Sequence, residues 1–329
     1  MGIEVSVLIV HYYAEEWLSE LFGSMAGFFS THVSEILVWD NGSQNGQPGN
    51  LVVPCPLTWL SSSNNIGFAG GHNALSQWAK GKRFLIINPD AEFVTGGLER
   101  LWKTAEEDPG AGVVVPRIQY PDGRQQVSVF PPYTFGFDFR KSFWLEHRTM
   151  FSRAQRELDK DLTEAKEPFP VGWASGACML VSREAWEKTG GFDPNFFFGG
   201  EDADFCQRAR KAGFEILCEP RALLIHQAGQ SLEREPRNKV LYYYQKRLYY
   251  ARKHFTQIQY GILWLISVFE LVGKWAIGLF LSLFRKRWKE KRKGYAGALA
   301  LIFSGRWRNL EGLLQNQAVE KGRVEEVAV

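Results

Sequence analysis

Ile3-Glu4-Val5-Ser6-Val7-Leu8-Ile9-Val10-His11 is the first legible element of this 329-residue chain, and its reading decides the fold. The run is rich in β-branched residues and continuously apolar toward its end, as expected of a strand buried on both faces of a parallel sheet. From Glu15 to Phe29 the apolar residues Trp17, Leu18, Leu21, Phe22 and Met25 recur at helical spacing. Further strands are expected from Glu35 to Trp39, Leu57 to Leu60, Arg83 to Ile87 and Gly112 to Pro116. Helices are expected from Asn73 to Lys80 and from Gly97 to Glu107. Strand and helix alternating at this spacing predict an α/β fold, a doubly wound, mostly parallel sheet.

In such sheets ligands sit beyond the carboxyl ends of the strands. His11, Asp40, the stretch from Ser61 to Asn65, and Asn88-Pro89-Asp90 all fall at expected strand ends, so four strands would build one crevice. The glycine loop Gly67-Phe68-Ala69-Gly70-Gly71 follows the third strand, with neither the dinucleotide fingerprint nor a phosphate-loop Gly-Lys-Ser/Thr. Asp90 ends a buried strand after Asn-Pro, where a hard divalent cation shared with a phosphate finds one or two carboxylates; a plain turn aspartate is the simpler reading.

A second dense stretch runs from Phe196 to Ser231. Three aromatics and two glycines lead to Glu201-Asp202-Ala203-Asp204 at a helix start, the helix stops at Gly213, and His226 ends a later apolar run. Acids at a helix start can be simple caps. Adjacent acids on a helix also point about 100° apart, so only one of Glu201 and Asp202 faces a given point. Between Tyr120 and Pro170 the pattern is that of a long covering loop with a helical insert. Trp173 with Gly176 then offers an apolar face and room for a ring, or a core tryptophan.

Composition narrows the classes. The chain is 45% hydrophobic and 23% charged, ordinary for a folded protein, and a net charge of +3 gives no case for nucleic acid. Cys55, Cys178, Cys206 and Cys218 form no metal-binding spacing and read as reduced, buried thiols. No signal peptide is expected, since the start leads directly into a strand.

Taken in order, Asp40-Asn41-Gly42-Ser43, Asn65-Ile66-Gly67-Phe68-Ala69-Gly70-Gly71-His72-Asn73, Asn88-Pro89-Asp90, Gly176-Ala177-Cys178-Met179, Gly190-Gly191-Phe192-Asp193, Glu201-Asp202-Ala203-Asp204 and His226-Gln227-Ala228-Gly229-Gln230-Ser231 resemble glycosyltransferase family 2, in its rhamnosyltransferase-like branch, over residues 3 to 255. The resemblance implies a GT-A fold, with a Rossmann-like nucleotide-sugar half and an acceptor half. It implies an inverting transfer from a nucleotide-diphospho-sugar, dTDP-rhamnose favoured, to a glycan or lipid-linked acceptor in cell-surface polysaccharide synthesis, with Mg²⁺ or Mn²⁺. Carried over, Asp202 is the general base with Glu201 beside it. His11, Asp40, Asn65, Gly67, Phe68, Gly71, Asn73, Asn88 and Asp90 line the donor. Trp173, Gly176 and Asp204 line the acceptor, and Asp90 and His226 hold the metal. Asn88 stands where the family's motif has its first acid, which leaves the metal fewer protein ligands. UDP-hexose, UDP-N-acetylhexosamine and UDP-galactofuranose remain open as donors, and so does a non-catalytic, membrane-associated nucleotide-sugar-binding protein. A sugar-phosphate nucleotidyltransferase needs a Gly-rich, Arg-containing loop after the first strand, where this chain has His11-Tyr12-Tyr13-Ala14-Glu15-Glu16.

The expected transferase domain covers 1–233. A C-terminal helical, membrane-associating region covers 234–310, and 311–329 is expected to be a flexible tail. Phe255 to Phe284 is strongly apolar, with only Glu270 and Lys274 interrupting it at pairing distance. The basic cluster from Arg285 to Lys293 includes Trp288. Apolar face, basic cluster and Trp predict an interfacial helix on an anionic membrane surface, here the cytoplasmic face of the inner membrane. A single span and a helix of a homodimer are the other readings of this stretch.

Overall fold

The computed structural model describes residues 3–32, 34–43, 46–49, 51–142, 150–196, 199–227, 236–282 and 287–308. The tail expected at 311–329, the end of the His226 motif from Ala228 to Ser231, and Arg285 and Lys286 lie outside the described residues. Contacts divide the chain into two units. The first comprises Met1–Thr134, Glu146–Asp193 and Glu201–Gln230; the second comprises Phe135–Leu145, Pro194–Gly200 and Ser231–Val329.

The first unit is an α/β sheet. Its strands are β1 (Val5–His11), β2 (Ser34–Asp40), β3 (Leu57–Ser61), β4 (Arg83–Ile87), β5 (Ala91–Phe93), β6 (Ala111–Gln119), β7 (Val129–Phe130), β8 (Phe169–Pro170), β9 (Trp173–Ala174), β10 (Cys178–Ser182) and β11 (Glu215–His226). The order is β3-β2-β1-β4-β10-β6-β11-β5, with β8 on β11, while β7 and β9 form a separate pair. Strands β3, β2, β1 and β4 are mutually parallel, and β6 is parallel to β11. Antiparallel β10 lies between these two parallel groups.

The helices of this unit are α1 (Leu18–Phe29), α2 (Gly67–Ser76) and α3 (Gly97–Glu107), then, beyond α4 (Phe135–Ser142) of the second unit, α5 (Met150–Glu164), α6 (Arg183–Thr189) and α7 (Glu201–Lys211). Side chains alternate along each strand, so the sheet buries two cores. Val5, Val7, Ile9, Leu85 and Ile87 pack with Leu21, Phe22 and Met25 of α1 and Leu101 of α3. Leu8, Phe84, Ile86, Met179 and Val181 pack with Leu75 of α2, Trp186 of α6 and Phe205 of α7. Double burial accounts for the unbroken apolar strands in the sequence.

Strand β11 runs through Pro220, with its pairing to β6 shifted between Glu219 and Leu223. A shifted register of this kind tolerates a residue that cannot donate to the ladder. Helix α2 differs from the sequence reading at both ends: it starts at Gly67, so the expected glycine loop is its first turns, and it ends at Ser76, not Lys80, because Lys80 N–H is drawn to Glu35 Oε1 (2.6 Å) and Gly81 N–H to Ser6 Oγ (2.7 Å).

The second unit is helical beyond α4: α8 (Pro236–His254), α9 (Gln257–Leu281) and α10 (Arg287–Ser304). Thr256 caps α9 with a reciprocal Gln259 contact, so α9 starts sharply after α8. Leu241, Tyr244, Leu248, Leu271, Ala298, Leu301 and Trp307 form its core. Glu270 pairs with Lys274, as their spacing predicts, and with Arg247 at 3.2 Å.

Gly71 shows how closely α2 lies on the sheet. A Cβ there would meet Val10 Cγ2 at 2.6 Å and Trp39 Cδ1 at 3.1 Å. Gly71→Ala is therefore expected to destabilise the fold by about 1–3 kcal/mol through overpacking against stiff β-branched Val10. Urea unfolding checks this; a fall in nucleotide affinity at unchanged stability would instead make Gly71 a ligand contact.

Candidate active site

Four strand ends and two helix starts carry most of the predicted residues, with Trp173 and Gly176 on the approach to β10. At the end of β1, His11 is fully buried. Its Nδ1 accepts the Ala14 N–H (3.2 Å), so in the neutral ring the proton sits on Nε2, which faces Ser43 Oγ at 3.2 Å. Ser43 Oγ in turn donates to Asp40 Oδ1 (2.5 Å), which also accepts the Ser43 N–H (2.8 Å). His11, Ser43 and Asp40 thus form one chain joining the ends of β1 and β2. Burial lowers the His11 pKa, against the opposing pull of Glu15 and Asp40. The loop it anchors includes Tyr13 at φ +50°, the one positive φ outside glycine among the described residues.

Asn41, one residue past β2, organises the start of α2. Its Oδ1 accepts the Ile66 N–H (2.9 Å) and its Nδ2 donates to Asn65 Oδ1 (2.9 Å), which also accepts the Gly67 N–H (2.9 Å). Gly67 holds φ +79°, a conformation that favours glycine, as α2 begins. Phe68 then lies over His72, with ring centroids 4.1 Å apart, and near Phe192 at 5.7 Å. Asn73 is committed to packing: it donates to Phe192 O (2.8 Å) and accepts the Phe192 N–H (3.0 Å), pinning the Gly190-Gly191 turn to α2.

The Asn88-Pro89-Asp90 turn carries the densest convergence. Strand β5 pairs antiparallel with β11, with Ala91 opposite His226. That register brings Asp90 Oδ1 to 3.3 Å from His226 Nε2, and Asn88 Nδ2 to 3.1 Å from the same nitrogen. The Gln227 N–H donates to Asp90 O (3.1 Å), locking the pair of chains. On the far side of the ring, Nδ1 faces Gln126 Oε1 at 3.2 Å. In the neutral tautomer that donates Nδ1–H to Gln126, Nε2 accepts from the Asn88 amide and lies beside a carboxylate oxygen. Two electron-pair donors so placed fit a shared cation, and an outer partner on Nδ1 is the usual support of a ligating histidine. Among the described residues no group of three or more His, Cys, Asp or Glu converges in this way. The set therefore matches hard cations that take one or two protein ligands and complete their shell with substrate phosphate and water.

Asp202 stands one strand away. Asn88 N–H donates to Ala177 O (3.0 Å), and the neighbouring Gly176 N–H donates to Asp202 Oδ2 (3.2 Å). Asp202 Oδ1 accepts the Ala203 N–H (2.8 Å), and the side chain is half-buried. Gly176 permits this approach, since a Cβ there would lie 3.3 Å from the Phe68 ring and 3.7 Å from Asp202 Cβ. Glu201 is buried. Asp204 has no exposed surface to offer an acceptor: its carboxylate binds Arg208 at 2.7 Å, and Arg208 also reaches Thr189 O and Gly191 O. Trp173 stacks on Phe130, with ring centroids 4.0 Å apart and planes 12° from parallel.

The structure thus brings together Asn88, Asp90 and His226, and through Gly176 also Phe68 and Asp202; His11 and Asp40 form a second group, and Asn65 with Gly67 a third. The sequence reading missed Gln126, and left Asn41 and Ser43 without roles although both lie in a quoted turn motif. Asp204 and Arg208 are four apart, a spacing from which their pairing could have been read.

Residues 71–245 match the family described as Glycosyltransferase like family 2. An N-acetylglucosaminyl-diphospho-decaprenol L-rhamnosyltransferase of Mycobacterium tuberculosis is 30% identical over 222 residues, 61% of this chain and 69% of that protein. The low-salt glycan biosynthesis hexosyltransferase Agl10 of Haloferax volcanii is 27% identical over 221 residues, 65% of this chain and 64% of that protein. Among solved structures, GalNAc-T7 with UDP, GalNAc and Mn²⁺ superposes with a TM-score of 0.51 at 15% identity, covering 76% of this chain and half of that one (50%). S. aureus TarS 1–349 with UDP gives a TM-score of 0.50 at 13% identity, covering 99% of this chain and 94% of that one.

Burial also sets an acid limit on this fold. His72, fully buried under Phe68, has its pKa lowered from 6.5 to about 4. A histidine neutral in the folded state and protonated when unfolded contributes stability that is complete above pH 6.5 and declines as the pH falls toward 4. At pH 5 the loss from His72 is expected to be about 2 kcal/mol. Urea unfolding at pH 7.5 and 5.0 measures it, and a His72→Gln variant should show a correspondingly smaller pH dependence.

Proposed function

The chain belongs to glycosyltransferase family 2 and is a glycosyltransferase, and we propose that it transfers rhamnose from dTDP-rhamnose to a lipid-linked glycan acceptor at the cytoplasmic face of the membrane, with inversion at the sugar carbon. The single observation that carries the reading is the convergence of Asp90 Oδ1 and His226 Nε2 at 3.3 Å, one strand from Asp202. The sheet, a GT-A arrangement, places both at one set of strand ends, where a doubly wound sheet binds its ligand.

The acceptor hydroxyl is a poor nucleophile until its proton is taken during attack. Asp202 is assigned that proton: it is half-buried, and the Gly176 and Ala203 N–H groups orient its two oxygens. A divalent cation, Mg²⁺ or Mn²⁺, would be held by Asp90 and His226 and would neutralise charge on the leaving diphosphate. Gln126 fixes the His226 ring through Nδ1, and Asn88 contacts Nε2 with its amide instead of supplying a further carboxylate. The turns fixed by His11–Ser43–Asp40 and Asn41–Asn65 frame the nucleotide. Phe68 walls the space beside Asp202, and the stacked Phe130–Trp173 pair is assigned to the acceptor sugar.

Rhamnose and a lipid-diphosphate acceptor are favoured by the mycobacterial relative, whose name contains both a rhamnosyl donor activity and a decaprenol diphosphate. The archaeal hexosyltransferase relative favours a second reading, in which the same site takes a UDP-hexose.

Asp202→Asn is expected to lower transfer by about 10²–10⁴-fold, the contribution typical of a general base. Folding and nucleotide-induced stabilisation should remain within error of the parent. Turnover near the parent rate in this variant would remove Asp202 from the role, and transfer confined to UDP-hexoses would select the second donor.

A further inference from the structure

Helix α9 leaves one face outside the core of its own unit. Leu263, Ser267, Leu271 and Gly278 are buried, and Gly278 admits Arg292 of α10, whose Cβ would lie 3.4 Å from a Cβ added at that glycine. The helix's only two charges belong to the packed side: Glu270 pairs with Lys274 and with Arg247, and Arg247 with Asp138 (2.9 Å). The opposite face carries Ile258, Ile262, Leu265, Phe269, Val272 and Leu279, all exposed, Ile258 at 77% and Phe269 at 72%. At 3.6 residues per turn these six fall within about 100° of arc, the width of a complete apolar stripe. The helix is 25 residues long, so the stripe is unbroken for most of its length.

Two occupants suit such a face: a second copy of the chain, or a lipid surface. Charge decides between them. Residues 234–308 contain 17 Lys and Arg against three Asp and Glu, in a chain whose net charge is only +3. Two such regions brought face to face repel, whereas an anionic bilayer attracts each of them. The flanks of the stripe argue the same way. A helix-pairing seam is bordered by charged residues that set its register; here the borders are Trp264, Ile266, Val268, Trp275 and Ile277. Trp264 and Trp275 are residues that favour the depth of lipid headgroups. A helix that crossed the bilayer would carry the Glu270–Lys274–Arg247 group, near its midpoint, into hydrocarbon.

We propose that α9 lies in the plane of an anionic bilayer, its Ile258–Leu279 stripe among the acyl chains and the excess positive charge of residues 234–308 drawing the helix to that surface. The inference rests on the membrane location in the proposed function and supplies the surface for it, but its own evidence is independent of the reaction.

The test is co-sedimentation of the full-length protein with vesicles of phosphatidylcholine alone or mixed with phosphatidylglycerol. Binding is expected only to the phosphatidylglycerol mixture, weakening at high salt. The exposed double substitution Leu265→Glu/Phe269→Glu is expected to lower partitioning at least about tenfold. Circular dichroism and nucleotide-induced thermal shift should be unchanged, which separates failure of this surface from failure of the transferase reading. Equal binding to neutral vesicles, or no vesicle binding, overturns the proposal. So does a dimer in solution that the same substitution dissociates without any vesicle binding, or resistance to carbonate extraction from membranes.

Discussion

The pairing of β5 with β11 is the constraint on which the site depends. It is a three-residue ladder, with Ala91 opposite His226, yet it joins the turn after β4 to the end of the longest strand in the sheet. Without it Asp90 and His226 belong to different parts of the first unit. With it, two electron-pair donors meet at 3.3 Å. Asn88 and Gln126 then complete the surroundings of His226. The surrounding strands serve to keep that turn still. Antiparallel β10 is inserted beside β4, and its approach, Gly176-Ala177, holds Asn88 on one side and Asp202 on the other.

The legible part of the fold was the part determined locally. Continuous apolar runs gave β1, β2 and β4, and helical spacing gave α1 and α3, because both periodicities survive in any short window. Strand ends could be read, since a polar residue after an unbroken apolar run has few other places to be, and so His11, Asp40 and Asp90 were found. What the sequence alone could not give was register. That β10 runs antiparallel, that β11 continues through Pro220, and that Ala91 faces His226 depend on pairings between distant segments and leave no local mark. Gln126 was missed for the same reason: it comes from a loop without periodicity and acts on a residue 100 positions away.

The three acids at the start of α7 show the limit at one site. They look alike in sequence, and all complement the positive end of the helix. Helix geometry separates them. Asp202 meets the Gly176 amide, while Asp204 turns to Arg208 and becomes part of the packing. Asn73 and Gly71 are similar cases in the glycine-rich start of α2, whose residues look alike as ligand contacts: one pins the Phe192 turn, and the other lets α2 rest on Val10. In the second unit the same logic places Glu270 and Lys274 on the packed side of α9, so a helix whose composition is interrupted by charge still presents an unbroken apolar face.

In the proposed site Asp90 and His226 would hold a divalent cation that in turn would hold the donor's diphosphate. The most direct measurement is calorimetric titration of dTDP into the protein with Mn²⁺ and with the metal removed, in the parent and in His226→Ala. Ligation by this pair predicts binding that requires Mn²⁺ in the parent and is weakened in His226→Ala at the same Mn²⁺ concentration, with neither protein binding appreciably once the metal is removed. Equal affinity in both proteins, indifferent to the metal, would contradict it.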